Sequence, residues 1–495
     1  MDPFIKIHPK DNLVVALTEL EPGETLLIEK HSVTVKQPLA PGSKFAIKQI
    51  EPGSQVIKYG EPIGLATQAI GIGEWIHTHN LKTALTDTHE YHYQPEFAFE
   101  PSPVAGREIQ AYLRDNGDIA LRNELWVIPT VACVNGIARQ IIERFKKQQA
   151  LNAIDGIELL AHPYGCSQLG EDHQNTRRIL TSMAHHPHAG AVLIIGLGCE
   201  NNQLSELKPL LSDIDPGRIR YLEAQEIEDE LEAGCQLLTE LFDKMSRDRR
   251  QTVAASRLKI GLECGGSDGF SGITANPLLG LLSDYLLTQG ASVVLTEVPE
   301  MFGAEHLLFN RCRTPEIFQQ ALGLIEDFKD YYRAHQQPIY ENPSPGNKKG
   351  GISTLEEKSL GCTQKAGAGL IDGVLRYGER LQRPGLHLLE APGNDAVATS
   401  ALIAAGCHLV LFTTGRGTPY GGFAPTLKIS SNSAIAHKKP HWIDLDAGVM
   451  LDGTKPEQLL ESLLDLLCET ASGKLCCNER NQFKELAIFK SGVTL

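Results

Sequence analysis

The sequence predicts a multidomain α/β protein: a small all-β module at the amino end, followed by a large two-lobed α/β region with mostly parallel sheets. Three observations predict it. Residues 1–95 carry short β-rich runs separated by the turn signals E-P-G, A-P-G and E-P-G. From Arg122 onward, apolar runs of strand length alternate with segments long enough for helices. A chain of 495 residues is also too long for one core, at a prior of about 150 residues per domain.

In the module, 13–17, 25–28, 32–35 and 55–57 read as strands, and only 44–49 carries a trace of helical period. Residues 96–118, including F-E-P-S-P-V-A-G-R, read as an exposed linker. A first lobe, 119–250, has candidate strands at 124–129, 156–161, 191–196 and 220–224, and a helix at 225–245. The polar S-R-D-R-R-Q-T-V-A-A-S marks the boundary to a second lobe, 251–495. Strands are expected there at 259–263, 292–297, 386–390, 408–412, 427–430 and 442–446. Strands this apolar imply parallel sheets covered on both faces. The long polar stretch 341–367 reads as an extended loop, locally basic through Lys348, Lys349, Lys358 and Lys365.

Lys and Arg number 46 against 61 Asp and Glu, a net charge of −15. That balance excludes nucleic acid or an anionic membrane as the main partner, while leaving room for a basic pocket that takes a small anion. The start, M-D-P-F-I-K-I-H-P-K, lacks the apolar core of a signal peptide and no run approaches membrane-spanning length, so a cytoplasmic protein is expected. Eleven cysteines, an odd number spread over a long chain, do not form a disulfide framework.

In parallel α/β sheets ligands bind beyond the carboxyl ends of strands. Polar, glycine-rich segments stand at those positions one after another. They are H-P-Y-G-C-S-Q with His162 and Cys166, L-G-C-E-N-N with Cys199 and Glu200, and E-C-G-G-S-D-G with Glu263, Cys264 and Asp268. T-E-V-P-E adds Glu297 and Glu300, and T-T-G-R-G adds Arg416. The G-L-G-C-E-N-N segment is no dinucleotide fingerprint, because Asn201 replaces the third glycine, and the chain has no Walker A sequence. E-W-I-H-T-H-N, 74–80, poses a separate question. On an extended strand His77 and His79 share a face, which suits two metal ligands and equally suits two ordinary solvent-facing residues. Cys166, Cys199, Cys264 and Cys362 lie in polar, glycine-containing segments, so three of them could ligate an iron–sulfur cluster, although none shows C-x-x-C spacing.

The chain resembles the hydro-lyase family that includes altronate and galactarate dehydratases. The resemblance runs from I-K-I-H to the closing F-K-S-G-V-T-L. It is carried by W-I-H-T-H-N, Y-G-C-S-Q-L-G, I-G-L-G-C-E-N-N-Q, G-L-E-C-G-G-S-D-G-F-S-G-I-T-A-N-P, N-P-S-P-G-N-K-K-G-G-I-S-T-L-E-E-K-S-L-G-C-T-Q-K-A-G and A-P-G-N-D-A-V-A-T-S. It implies that the module is a SAF domain of β-clip fold, and that the enzyme depends on divalent iron or manganese. It further implies dehydration of D-altronate to 2-dehydro-3-deoxy-D-gluconate in hexuronate (galacturonate) catabolism. Removal of the C2 proton beside a carboxylate needs a base, an acid for the departing C3 hydroxyl, and a positive centre for the developing charge.

On this reading His77 and His79 ligate the metal with Glu200 and Cys199 among their partners. His162, Lys365, Glu263 and Asp268 are the catalytic candidates, and Arg416, Lys348, Asn201 and Asn394 are the candidates for holding the substrate. The partner is then a small sugar acid, with no nucleic acid and no membrane, and the chain is compatible with a homo-oligomer. The alternatives are a galactarate or other sugar-acid dehydratase, an iron–sulfur hydro-lyase, and a non-catalytic sugar-acid binding protein.

Overall fold

The computed structural model describes residues 2–85, 91–97, 99 and 106–495. The amino-terminal module is all-β. A four-stranded antiparallel sheet runs in the order Phe4–Ile5, Leu13–Ala16, Lys44–Ala46, Trp75–Ile76. A three-stranded sheet, Gln55–Lys58, Glu61–Ala66 and Leu81–Lys82, and a hairpin of Thr25–Ile28 with His31–Thr34 complete it. The turn signals form as read: Gly23, Gly42 and Gly53 have φ of +92°, +85° and +79°, which glycine adopts without a Cβ penalty.

Two expectations for the module are corrected. The trace of helical period at 44–49 yields the strand Lys44–Ala46, because pairing with Leu13–Ala16 on one side and Trp75–Ile76 on the other overrides a weak local pattern. The extended H-x-H does not form either. The strand stops at Ile76, and His77–Asn80 is a turn closed by Asn80 N–H donating to His77 O at 3.0 Å and His77 N–H donating to Asn80 Oδ1 at 2.9 Å.

The expected linker, 96–118, holds the strand Glu108–Leu113, which pairs antiparallel with Arg250–Ala254, inside the segment read as a polar boundary. Ile109 and Ala111 are buried there, so this half of the segment is core; residues 98 and 100–105 of the linker, and 86–90 of the module's expected end, lie outside the described residues.

Two parallel sheets follow. The smaller has the spatial order Gly156–Leu159, Glu124–Pro129, Ala189–Gly196, Ile219–Glu223. Every residue of Glu124–Pro129 is buried, as a strand covered on both faces requires. The larger runs Ile371–Leu375, Gly385–Leu389, Ser292–Leu295, Lys259–Cys264, Leu409–Thr414, Thr426–Ser430, Leu445–Asp446. The helix expected at 225–245 is Glu230–Met245, capped by the Asp229 side chain accepting from Glu232 N–H. The strand Ile371–Leu375 escapes sequence reading because Asp372 and Gly373 break its apolar run. Asp372 is held by Arg313 Nε at 2.6 Å and Leu386 N–H at 3.1 Å at the sheet edge.

The two sheets share apolar core. Trp126, Ile128 and Ile194 of the smaller one cluster with Leu389, Leu402 and Phe423 of the larger one's surroundings, packed through Gly170–Ala184 and Asp395–Ala404. The bidentate pair of Arg122 with Glu479, at 2.6 and 2.8 Å, ties the entry to the smaller sheet to the carboxyl-terminal segment.

The polar stretch 341–367 is not an extended loop. It forms the helices Pro345–Lys349 and Leu355–Thr363, the second entirely buried. Its polar residues are spent inside the protein. Glu357 receives Lys58 Nζ at 2.9 Å and Lys44 Nζ at 3.0 Å, all three side chains about 1% exposed. Burial pushes the Glu357 carboxyl up, but the two ammonium groups outweigh it and hold the carboxyl at about 2. The module also meets the larger region by close backbone approach. A Cβ on Gly269 would lie 2.5 Å from Gly42 O, and one on Gly351 2.9 Å from it.

Removing the negative member of this triad leaves two buried cations unpaired. Glu357→Gln is expected to destabilise the fold by about 3–5 kcal/mol, read by denaturant unfolding. Because the folded pKa lies below the ordinary 4.5, the stabilisation is whole above about pH 4.5 and lost as pH falls through about 2. Acid unfolding of the wild type should therefore show a limb that the variant lacks, and identical acid profiles would refute the clamp.

Candidate active site

The larger sheet gathers its polar residues at strand ends. Glu263 and Cys264 close Lys259–Cys264, and Glu297 and Glu300 follow Ser292–Leu295. Asp395 opens the helix Asp395–Ala404, while Lys358 and Cys362 lie on Leu355–Thr363 with Lys365 in the turn after it. Ligand oxygens of Glu263, Glu297 and Asp395 lie within 4.8 Å of one another, as do a Glu300 oxygen and the sulfurs of Cys264 and Cys362.

In the second group both thiols donate to Glu300 Oε2 at 3.0 Å, and the sulfurs stand 3.4 Å apart. Lys358 Nζ meets the other Glu300 oxygen at 2.5 Å. Burial opposes the Glu300 charge, yet Lys358 and Lys365 outweigh it and bring the carboxyl to about 2. Cys264 is pushed well above its ordinary range by its hydrogen bond with Cys362 and by burial, which makes it a thiol.

The first group behaves in the opposite way. Both Glu263 oxygens and Glu297 Oε1 are buried without a hydrogen-bond partner among the described residues. Burial, then the neighbouring Glu297 and Asp395, pushes Glu263 far up; burial, then Cys264 and Glu300, does the same to Glu297. Asp395 rises to about 6 through burial and the Glu300 charge. Glu297 Oε2 accepts the Cys264 N–H at 3.1 Å and faces Lys365 Nζ at 3.5 Å. Its backbone is left-handed, φ +65°, a conformation that costs a non-glycine residue about 1–3 kcal/mol. Lys365 is 1% exposed; burial alone would lower its pKa, but the acidic side chains packed around it, Glu297 and Glu300 among them, outweigh that and keep it an ammonium.

Unpaired buried carboxylates are unfavourable unless protonated or neutralised by a cation. Two of this kind, Glu263 and Glu297, with the half-buried Asp395 converging on them, fit a divalent cation that prefers oxygen donors. A cleft of about 370 Å³, lined by Cys264, Gly266, Glu300, Lys358, Asn394 and Asp395, reaches Cys264 and Glu300 of one group and Asp395 of the other.

Of the residues singled out in the sequence, Glu263 and Lys365 belong to this centre. Asn394 borders it but is spent as a helix cap, its side chain accepting Val397 N–H at 3.2 Å. Asp268 sits in the same glycine loop with its oxygens occupied by Ser271, Ser431 and Asn432, at 3.0, 2.7 and 2.8 Å, and so fastens the loop. Arg416 is exposed, makes no ion pair among the described residues, and touches the loop through its N–H to Gly266 O at 2.9 Å.

The four expected metal ligands are not brought together. His77 Nδ1 bonds Ser353 Oγ at 2.8 Å, near Lys348; His79 is exposed against Trp75. Glu200 and Cys199 lie at the smaller sheet, where Glu200 is saturated by Thr130 Oγ1 at 2.5 Å and the N–H groups of Leu197 and Gly198 at 3.0 and 2.6 Å. Asn201 is there too, accepting Ser167 N–H at 2.7 Å. His162 is also at that sheet, with Nε2 on Pro129 O at 2.8 Å and Nδ1 accepting Tyr164 N–H at 3.1 Å, which leaves no nitrogen for proton abstraction.

The sequence reading gave Glu297 and Glu300 no role, although the strand-end rule pointed to both. It passed over Asp395, one residue from Asn394. The four loop cysteines split, Cys264 with Cys362 and Cys166 with Cys199, so the larger sheet offers two thiols rather than the three a cluster needs.

Family models match along the chain: an altronate/galactarate dehydratase SAF domain over residues 2–84, the second domain of D-galactarate dehydratase/altronate hydrolase over 111–246, and the D-galactarate/altronate dehydratase C-terminal domain over 255–494. The chain is 58% identical over 493 residues to the altronate dehydratase of Escherichia coli (strain K12), covering 99% of this chain and 100% of that one. It is 53% identical to the altronate dehydratase of Bacillus subtilis (strain 168), with 100% of both covered. The galactarate dehydratase (L-threo-forming) of Escherichia coli (strain K12) is 32% identical, with 95% of this chain and 93% of that one covered. The chain, a SAF module joined to an α/β region whose strand ends converge on buried acids, belongs to the altronate/galactarate dehydratase family.

Proposed function

We propose that this chain dehydrates D-altronate to 2-dehydro-3-deoxy-D-gluconate and water, in cytoplasmic hexuronate catabolism, with Fe2+ or Mn2+ bound at the larger sheet. The observation that carries the reading is the convergence of Glu263 and Glu297, buried and with unpartnered oxygens among the described residues, with the half-buried Asp395, beside the ammonium of Lys365. Full-length identity of 58% and 53% to altronate dehydratases favours altronate over galactarate, whose dehydratase stands at 32%.

Glu263 and Asp395 would hold the ion, which supplies a Lewis acid for the substrate carboxylate. Glu297 takes the C2 proton at Oε1, the oxygen left free while Cys264 N–H and Lys365 fix the other. With the Lys365 ammonium beside it and a cation in the group, Glu297 would be held as the carboxylate, and its high proton affinity suits a base for so weak an acid. Lys365 carries a proton at Nζ and gives it to the departing C3 oxygen, which leaves as water. The enol that remains tautomerises to the 2-keto acid. Arg416, exposed beside Gly266 and without an ion pair among the described residues, suits a carboxylate because its fork binds two oxygens at once.

Metal-stripped protein, assayed on hexonates and aldarates with iron, manganese or magnesium restored separately, should turn over altronate with iron or manganese. Turnover of galactarate but not altronate would overturn the substrate, and activity without metal would overturn the centre. Glu263→Gln and Asp395→Asn should lower bound metal with the circular dichroism unchanged. Glu297→Gln should retain metal but lose roughly 10²–10⁴-fold in kcat and in exchange of the C2 proton. A Glu297→Gln enzyme that exchanges that proton at the wild-type rate is not missing its base.

A further inference from the structure

Three cysteines of this chain are exposed, Cys133, Cys166 and Cys199, and the rest are buried or half-buried. The three exposed thiols follow three adjacent parallel strands: Cys133 after Glu124–Pro129, Cys166 after Gly156–Leu159 and Cys199 after Ala189–Gly196. The chain starts this sheet in the middle, adds one strand to one side and continues on the other, so the order reverses at Glu124–Pro129. At such a point the loops diverge and leave a crevice at the carboxyl ends.

The loops are knit into one cradle. Ala132 N–H donates to Tyr164 O at 2.9 Å, Asn202 N–H to Gly165 O at 3.1 Å, and Asn202 Nδ2 to Thr130 O at 3.1 Å. Gly165 passes so close to the first loop that a Cβ would meet Thr130 O at 2.1 Å. Within the cradle, the buried amide oxygens of Asn135 and Asn202 have no partner among the described residues. Two of the sulfurs receive polar hydrogens, Cys199 from Gln225 Nε2 at 3.6 Å and Cys166 from Ser167 Oγ at 3.9 Å. Such bonds to sulfur tune iron–sulfur centres.

The chemistry of the donors narrows the ligand. Three thiolates select a soft centre over the hard cation suited to carboxylates. A mononuclear tetrahedral site at a metal–sulfur distance of about 2.3 Å needs sulfurs about 3.8 Å apart, and these three are not among the ligand groups gathered within 4.8 Å. A cluster, whose thiolates bind different irons, needs them further apart. We propose that Cys133, Cys166 and Cys199 bind a [4Fe–4S] cluster at the carboxyl end of the smaller sheet. Each thiol gives up its proton on ligation. The fourth iron has no protein thiolate and is open to a carboxylate or hydroxyl oxygen. The site shares no ligand with the carboxylate group of the larger sheet, and it stands whether or not altronate is the substrate.

The full chain, handled anaerobically and reconstituted with ferric iron and sulfide in the presence of excess thiol, which reduces half of the iron as it is oxidised to disulfide, should take up about four irons and four acid-labile sulfides per chain. Cys133→Ser, Cys166→Ser and Cys199→Ser should each lose most of the labile sulfide, whereas Cys468→Ser should keep it. A second measurement needs no variant: alkylation read by mass spectrometry should label these three cysteines in the metal-free chain and spare them in the reconstituted one. Absence of labile sulfide in the wild type, binding of zinc or iron without sulfide, or retention of sulfide by the triple variant would overturn the assignment.

Discussion

Glu357, held between Lys44 and Lys58, is the contact on which the geometry of the larger sheet's centre depends. Both lysines come from the β-module and the glutamate from Leu355–Thr363, so one buried triad fixes how the module sits against that helix. Ser353, just ahead of the helix, extends the contact: its N–H donates to Glu357 Oε2 at 2.8 Å, and its hydroxyl meets Lys44 Nζ and His77 Nδ1 at 2.9 and 2.8 Å. The same helix presents Lys358 and Cys362 to Glu300, and its last turn delivers Lys365 to Glu297. A module with no acid in either ligand group therefore positions the cations that govern both. Burial, with Lys44 nearby, brings His77 to about 4, so it enters this network as a neutral imidazole.

Identical chemistry takes opposite protonation states a few ångströms apart, and partners decide which. Glu300 has an ammonium at 2.5 Å and two thiol donors, and it stays an anion despite full burial. Glu263 has no donor and two acids beside it, and burial drives it toward the neutral form. The left-handed backbone at Glu297 belongs to the same economy of space, with one oxygen on Cys264 N–H, the other unpartnered among the described residues, and the carboxylate within reach of Glu263 and Asp395. A divalent cation would exchange this repulsion for coordination without moving a strand.

The strands were legible because burial on both faces writes an unbroken apolar run, as in E-L-W-V-I-P, and so were the loops after them. Ile371–Leu375 was hidden because its polar Asp372 serves an edge, and 341–367 was misread because its charges, which look solvated, pair inside the protein. The site was legible at Glu263 and Lys365, and illegible where it depends on convergence of distant segments. Asp395 and Cys362 carry no local sign that they will meet residues 132 or 98 positions earlier, 395 − 263 and 362 − 264. His77 and His79 misled for the converse reason. Their spacing promised a shared strand face, but Asn80 closes a turn on His77 and rotates the pair out of extended geometry.

Both sheets place polar groups beyond their strand ends, and the donors differ in kind. The larger offers carboxylates, two of them fully buried, which suit a hard cation; the smaller offers exposed thiols. The difference follows from what surrounds each end. The larger sheet's end is roofed by the module and by Leu355–Thr363, so an acid there is stripped of water and gains most from a cation. The smaller sheet's loops lie open, and a carboxylate such as Glu200 is instead saturated by the backbone, leaving sulfur as the donor without strong competing bonds. Because Gly170–Ala184 and Asp395–Ala404 pack in one apolar cluster between the sheets, the two ends are fixed relative to each other by core rather than by linker. Asp395 opens the second of these helices, so the packing that unites the lobes also sets the position of an acid in the carboxylate group.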